Sequence, residues 1–208
     1  MQQALFAEQS QGHGECIAVP MADADVFYYP DFYHADQADH YFNLLQHELA
    51  WRQERIVIYG KSHWVPRLQA WYGDPEASYH YSSLTLQPLA WTKTLLALKS
   101  QCELISGQTF NSVLANYYRD GQDSMGMHSD DEAELGPRPT IASLSFGQTR
   151  VLHFQHKKVK TRHKLPLNHG SLLIMAGATQ QNWQHGIAKI KRPTAGRINL
   201  TFRRILPV

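Results

Sequence analysis

Residues 197–203, Arg197-Ile198-Asn199-Leu200-Thr201-Phe202-Arg203, alternate strictly between polar and apolar side chains. Successive side chains of an extended chain point to opposite faces, so Ile198, Leu200 and Phe202 form one face of a strand. Arg197, Asn199, Thr201 and Arg203 form the other. Six residues of strand put the two arginine Cα atoms about 20 Å apart. Two long side chains leaning together leave a gap of a few ångströms, the length of a five-carbon dicarboxylate. Arginine suits such a ligand because its planar fork pairs bidentately with carboxylate and stays charged. The plainer alternative is a solvated strand face. It loses ground because two cations without an acidic neighbour repel unless an anion lies between them.

Working outward, residues 111–118, 140–146, 150–155, 171–175 and 197–205 are short segments bounded by Gly, Pro or Asp, the pattern of strands. Upstream the periodicity is helical. Phe42, Leu45 and Leu49 share a face over residues 36–51, with Asp36 placed to cap. A second helix is expected over residues 88–104, with Pro88 in its first turn and Gly107 stopping it. Its apolar surface comes from Leu89, Leu95, Leu96 and Leu98. Two helices followed by strands alone give an α+β, mainly β fold, in which flanking helices pack on an antiparallel sandwich or jelly roll (a double-stranded β-helix). A length of 208 residues suits one domain. Residues 1–30 read as an arm or short strands, residues 55–85 as a lid, and residues 108–206 as the jelly-roll core.

Composition narrows the setting. With 43% hydrophobic and 18% charged residues the chain is an ordinary globular one rather than a disordered one. A net charge of +2 neither demands nor excludes a polyanionic partner, since local clustering decides that. Cys16 and Cys102 are too few and too far apart for a disulfide framework, which favours a reducing compartment. No apolar run reaches the roughly 18 residues of a membrane helix, and the N-terminus lacks the pattern of a secretion signal. The expected setting is cytoplasmic (or nuclear, in a eukaryote), with no membrane partner and the chain acting as a monomer.

His128-Ser129-Asp130 places two ligating side chains on one face of an extended segment. A third ligand must come from another strand, and His185, shortly before the terminal strand, is the best candidate. Two imidazoles and one carboxylate form the facial set that holds Fe(II) with three positions open. His-x-Asp alone is a weak signal in a chain with 12 histidines; the arginine strand strengthens it. Asn116 and Tyr118 share a strand face and could donate to the same oxoacid.

Taken in order, Asn116-x-Tyr118, His128-x-Asp130, His185 and Arg197-x-Asn199-Leu200-Thr201-Phe202-Arg203 resemble the AlkB family of Fe(II)/2-oxoglutarate dioxygenases. The resemblance runs from about Tyr59 to Ile205, and Tyr59-Gly60-Lys61, Pro66-Arg67 and Tyr72-Gly73-Asp74 are similar to members that repair double-stranded DNA. It implies that His128, Asp130 and His185 bind iron. Arg197 would pair with the far carboxylate of 2-oxoglutarate and Arg203 would serve the end that chelates the metal, with Asn116, Tyr118 and Thr201 completing the pocket. It further implies that O2 and 2-oxoglutarate are consumed, giving succinate and CO2, while an N-methyl carbon of a damaged base such as 1-methyladenine or 3-methylcytosine is hydroxylated and lost as formaldehyde.

A base inside a duplex must be flipped out to reach such a site. By family position Tyr81 and His128 would stack on it, Tyr79 and His80 would lie beside it, and Asp131 and Glu132 would face a cationic adduct. Tyr59 would fill the gap that the flipped base leaves, with Gly60 beside it in a hairpin tip, and Lys61 and Arg67 would touch phosphates. The basic run at residues 156–164 suits a hairpin on a phosphate backbone or, more plainly, a lysine-rich turn guarding a sheet edge. The partner is therefore DNA, single- or double-stranded, or RNA. The alternatives are the same chemistry on protein, a nucleic-acid-binding module with a degenerate site, and a cupin-like small-molecule binder.

Overall fold

Strand β15 (Arg197–Arg203) lies inside an antiparallel sheet rather than at a wet surface. It pairs on one side with β10 (Ile141–Gly147) and on the other with β8 (Ser112–Tyr118). Beyond β10 come β13 (Ser171–Ala176), β2 (Asp25–Tyr29) and β1 (Ile17–Ala18); beyond β8 comes β5 (Leu68–Gly73). A second sheet is ordered β12 (Arg162–Leu167), β11 (Arg150–His156), β14 (Trp183–Ile187) and β9 (Met125–His128). Two hairpins stand apart from both sheets, β3 (Arg55–Ile58) with β4 (Lys61–Trp64), and β6 (Tyr79–Tyr81) with β7 (Leu84–Leu86). This computed structural model describes residues 14–58, 60–77, 79–81, 84–192 and 194–206, and within them not the side chains of residues 56, 58, 79–81 and 84–86.

The two sheets form a sandwich of the jelly-roll kind. Tyr28, Ile141, Leu173 and Met175 of the larger sheet meet Leu152, Phe154, Leu165, Leu167 and Ile187 of the smaller one. The outer face of the larger sheet is covered by α1 (Ala35–Glu48) and α2 (Lys93–Ser106). There Leu45, Leu95, Leu98 and Cys102 pack on Val113, Leu144, Phe146, Ile198, Leu200 and Phe202. Each such side chain contributes roughly 1.5–3 kcal/mol by leaving water. Both faces of β15 are therefore buried, and Arg197, Asn199 and Thr201 point into the sandwich instead of solvent.

Helix boundaries differ from the sequence reading at both N-termini. The N-cap of α1 is His34, without a side-chain cap bond, and Asp36 lies in the first turn, where a carboxylate favours the helix dipole. That helix ends at Glu48, short of Trp51, whose indole N–H donates to Gln46 O at 3.2 Å. The start of α2 is Lys93 rather than Pro88, because Thr92 offers an acceptor: its Oγ1 takes the Leu95 N–H at 3.1 Å. Residues before it extend the β5 edge, with Leu89 N donating to Trp71 O and Leu89 bridged to Tyr72. Gly107, at φ 64°, ends α2 in the left-handed conformation glycine adopts without strain. No helix among the described residues is long and apolar enough to cross a membrane.

Candidate metal centre and adjoining cavities

Antiparallel pairing of β14 with β9 sets His185 directly opposite His128, with ring centroids 4.4 Å apart. Asp130, two residues past the end of β9, joins them; the three candidate donor atoms lie within 4.8 Å of one another. Cross-strand register, which local sequence does not carry, makes the triad.

The protonation states suit a cation. His128 Nδ1 lies 3.0 Å from Gly126 O, and a carbonyl only accepts, so Nδ1 donates that bond and Nε2 is the nitrogen left to serve as a ligand. Burial, aided by His128 and Arg203, lowers the His185 pKa to about 4 against the pull of Asp130, so this imidazole is neutral at pH 7. Burial pushes Asp130 upward, but Arg203, His185 and His128 outweigh it and hold the carboxylate below its ordinary value. Asp130 Oδ1 accepts from Arg203 Nη2 at 2.5 Å, whereas buried Oδ2 accepts no hydrogen bond and lies 3.7 Å from His185 Nε2. An orphaned carboxylate oxygen beside two imidazoles, one of them neutral, fits a divalent metal ion, which would satisfy all three.

Behind the triad is a narrow cavity of about 40 Å³ whose lining includes Asn116, Tyr118, Arg197, Thr201 and Arg203. Arg197 is 2% exposed; its Nη2 donates to Ser145 Oγ at 2.9 Å, while Nε and Nη1 have no hydrogen-bond partner among the described residues. Its guanidinium carbon lies 5.1 Å from the Tyr118 ring centroid, and burial lowers its pKa to about 10. A buried cation with two unpaired nitrogens calls for an anion. Asn116 Oδ1 accepts from Arg67 Nε at 2.6 Å and Gln69 Nε2 at 3.2 Å, which fixes the amide with its NH2 free to donate. Thr201 Oγ1 donates to Asn199 Oδ1 at 3.1 Å.

Two expectations change here. Arg203 does have an acidic neighbour, Asp130, so the repulsion argument applies to Arg197 alone. Arg67 is 7% exposed and bonded to Asn116, so it is held inside the molecule instead of facing phosphates. Its proline-flanked position resembles a surface turn; the β5–β8 register, which sets Gln69 opposite Asn116, brings it inward.

In front of the triad a cavity of about 570 Å³ opens, within the usual range for ligand sites. Its walls include Arg52, Glu54, Gln69, Trp71, Leu114 and Met125, and it meets the narrow cavity at His128, Asp130 and Arg203. Arg52, Glu54, Gln69 and Trp71 carry no motif and were not singled out from sequence. Glu132 lines this cavity. Asp131 does not: its Oδ2 is held 2.9 Å from Lys157 Nζ, which also donates to Gln180 O at 2.8 Å. Lys157 thus turns inward, while Lys158, Lys160, Arg162 and Lys164 of the same β11–β12 hairpin are exposed. The main-chain N–H groups of Lys158 and Val159 donate to His156 Nδ1, which shapes the turn.

Gly60 sits at a hairpin tip at φ 74°, and Lys61 beside it is exposed. Tyr59 lies outside the described residues, as do the side chains of Tyr79, His80 and Tyr81, whose backbone forms β6 against β7.

A jelly-roll sandwich enclosing this donor set beside an anion-seeking arginine defines an oxygenase of the Fe(II)- and 2-oxoglutarate-using class. A model of the 2OG-Fe(II) oxygenase superfamily matches residues 25–203, and the chain belongs to that superfamily and, within it, to the AlkB family. It is similar to the alpha-ketoglutarate-dependent dioxygenase alkB homolog 3 of Rattus norvegicus, at 42% identity over 207 residues, covering 95% of this chain and 70% of the relative. It is equally similar to the DNA oxidative demethylase ALKBH2 of Bos taurus, at 43% identity over 182 residues, covering 82% of this chain and 66% of the relative. The Arabidopsis thaliana ALKBH2 is 31% identical over 212 residues, covering 88% of this chain and 67% of the relative. A solved structure of OsALKBH1 superposes with a TM-score of 0.61 at 17% identity, covering 91% of this chain and all of that one, which shows the shared fold. The protein is a dioxygenase whose cofactors are Fe(II), 2-oxoglutarate and O2.

Proposed function

We propose that the protein is a single-domain enzyme that removes N-alkyl groups from bases such as 1-methyladenine and 3-methylcytosine in DNA, releasing succinate, CO2 and formaldehyde. The observation that carries this reading is the meeting of two unlike cavities at His128, Asp130 and Arg203, one narrow and anion-seeking, the other open and wide. His128, Asp130 and His185 would hold the iron, which when bound couples oxidative decarboxylation of 2-oxoglutarate by O2 to hydroxylation of a substrate carbon.

The remaining steps belong to the chain's own groups. Arg197 receives the far carboxylate, and the Asn116 amide, oriented by Arg67 and Gln69, donates to the same ligand. Arg203 fixes Asp130 through Oδ1 and leaves Oδ2 for the metal. In the wide cavity Trp71 supplies an apolar wall, and Glu54 and Glu132 supply negative charge suited to an alkylated base, which is cationic. Both similarity to proteins named DNA oxidative demethylase and the exposed cations of the β11–β12 hairpin support nucleic acid as substrate. Once hydroxylated, the N–CH2OH group loses its O–H proton, its C–N bond breaks, and the electrons return to the ring nitrogen, so no side-chain acid is required.

The test is succinate and formaldehyde release with Fe(II), 2-oxoglutarate and a 1-methyladenine oligonucleotide, single- and double-stranded in parallel. Formaldehyde equal to succinate is the expected result. Succinate unaccompanied by formaldehyde, on every alkylated strand tried, would remove this substrate.

A further inference from the structure

Hairpin β3–β4 pairs Arg55 with Trp64 and Val57 with Ser62. Directly paired residues share a face, so Arg55, Val57, Ser62 and Trp64 lie together on one side of the ribbon. Every one of them is exposed, Val57 at 72% and Trp64 at 55%. The other four tryptophans of the chain are buried or half-buried. The Arg55 guanidinium carbon lies 4.2 Å from the Trp64 ring centroid, a cation–π stack formed in the open. An isolated two-stranded hairpin is marginally stable, and it gains little from a valine and an indole left in water. These side chains are placed for something outside the chain.

We infer that this face of the hairpin is a stacking platform for an unpaired nucleobase of a single-stranded nucleic acid, with Trp64 as the platform and Arg55 as its phosphate-side cation. The inference rests on the nucleic-acid reading above and adds a contact outside the lesion cavity. Placement supports it. Val65, next to Trp64, is tied to the rim by Val65 N donating to Glu54 O at 2.9 Å and Gln53 Nε2 donating to Val65 O at 3.0 Å. Arg52 and Glu54, which lead into β3, line the wide cavity. A strand that sends one base into that cavity therefore brings a neighbouring nucleotide to the platform. Charge supports it too: exposed Arg52, Arg55 and Lys61 outnumber Glu54 along residues 52–64, which favours a polyanion. Every base has a π-face, so the contact is tolerant of sequence.

The experiment uses the whole chain with Fe(II) and 2-oxoglutarate in the absence of O2, titrated with an unmodified single-stranded oligodeoxynucleotide. Trp64→Ala weakens binding about five- to one-hundred-fold, while Trp64→Phe, which keeps a ring, recovers most of it. Oligonucleotide quenches more tryptophan emission in the parent than in Trp64→Phe. Arg55→Gln lowers the slope of log affinity against log salt by about one, and the Trp64 variants leave that slope unchanged. A parent that binds the oligonucleotide, with Trp64→Ala binding equally well and the emission difference missing, overturns the platform and leaves the nucleic-acid reading standing. A parent that binds no oligonucleotide overturns both.

Discussion

Gln180, in the short helix α3 (Thr179–Asn182), is where a small change should reach the metal ligands without touching them. It is 1% exposed; its Oε1 accepts the Asp130 N–H at 3.0 Å and its Nε2 rests 3.6 Å from Met175 Sδ. Replacing it by methionine keeps the volume and removes the acceptor. The Asp130 N–H, buried, then has no partner, at a cost of about 1–3 kcal/mol; the thioether contact adds little. That cost is met either by an intact but weaker fold or by a displaced 129–131 loop. Displacement is resisted by Ser129 Oγ on Trp183 O at 3.0 Å and by Lys157 on Asp131. Because Asp130 Oδ2 must meet two imidazoles within a few ångströms, even small displacement should cost ten- to one-hundred-fold in metal affinity, the usual effect of losing an outer-shell partner. Calorimetric titration with Mn(II), alongside urea unfolding of metal-free protein, reads both. Full stability loss in Gln180→Met with metal affinity unchanged within twofold would refute the reasoning, since the bond would then serve the fold alone.

Three further outcomes follow from the same geometry. Arg67→Met leaves the Asn116 amide held by Gln69 alone and should raise the KM for 2-oxoglutarate about tenfold with little change in kcat, read from succinate release against cosubstrate concentration. Thr92→Ala removes the N-cap acceptor of α2 and should cost about 0.5–2 kcal/mol in thermal or urea unfolding, with activity per folded molecule retained. In metal-free protein, His185 has a folded pKa of about 4 against 6.5 when unfolded, so between those values the unfolded chain binds more protons. The sign follows: its contribution is neutral above pH 6.5, and stability falls as pH drops toward 4, by an amount of the order of 3 kcal/mol. His185→Gln should flatten that part of the stability profile measured by urea unfolding.

What could be read in the chain was whatever local pattern carries. Short segments bounded by Gly, Pro or Asp marked β8, β10, β11, β13 and β15 to within a residue or two, and in β15 strict alternation also showed which face meets a core. Strands β9, β12 and β14 were not marked out. Their residues, Met-Gly-Met-His, Arg-His-Lys-Leu-Pro-Leu and Trp-Gln-His-Gly-Ile, mix site, edge and core positions and so break the alternation. Helix starts were misplaced for a different reason. Pro88 and Asp36 are favourable near a helix start, but Thr92 supplies the bond that fixes one, and residues 88–91 are drawn to the β5 edge. At the site, His128, Asp130, His185, Asn116, Tyr118, Arg197, Thr201 and Arg203 stand out by type and order, and the fold gathers them around one cavity. Gln69, Trp71 and Gln180 reach the site through register and loop packing, and no spacing along the chain announces them; Arg67 and Lys157 were legible as cations, but the same packing turns them inward.

The two arginines of β15 are alike in sequence and unlike in circumstance, and that asymmetry orders the site. Arg203 is already neutralised by Asp130, so its charge stabilises the carboxylate and adds little pull on a second anion. Arg197 is buried with Nε and Nη1 lacking a hydrogen bond, Arg150 lowers its pKa further while Tyr118 offsets part of the shift, and no carboxylate among the described residues pairs with it. Desolvation of that guanidinium is a standing cost to the folded protein, relieved only when an anion arrives. The pocket therefore holds its strongest unmet electrostatic demand at the end remote from the metal ligands. A dicarboxylate should be recognised first through that end, largely independent of metal, and oriented from there toward Asp130 and the two imidazoles. On this argument a simple five-carbon dicarboxylate without the keto group, glutarate, should protect metal-free protein against thermal unfolding. A monocarboxylate of equal length should protect it by a comparable amount, since one carboxylate answers Arg197. Arg197→Met should abolish the effect of both. Protection by either ligand that persists in Arg197→Met, or that requires added metal in the parent, would refute the assignment of this demand to Arg197.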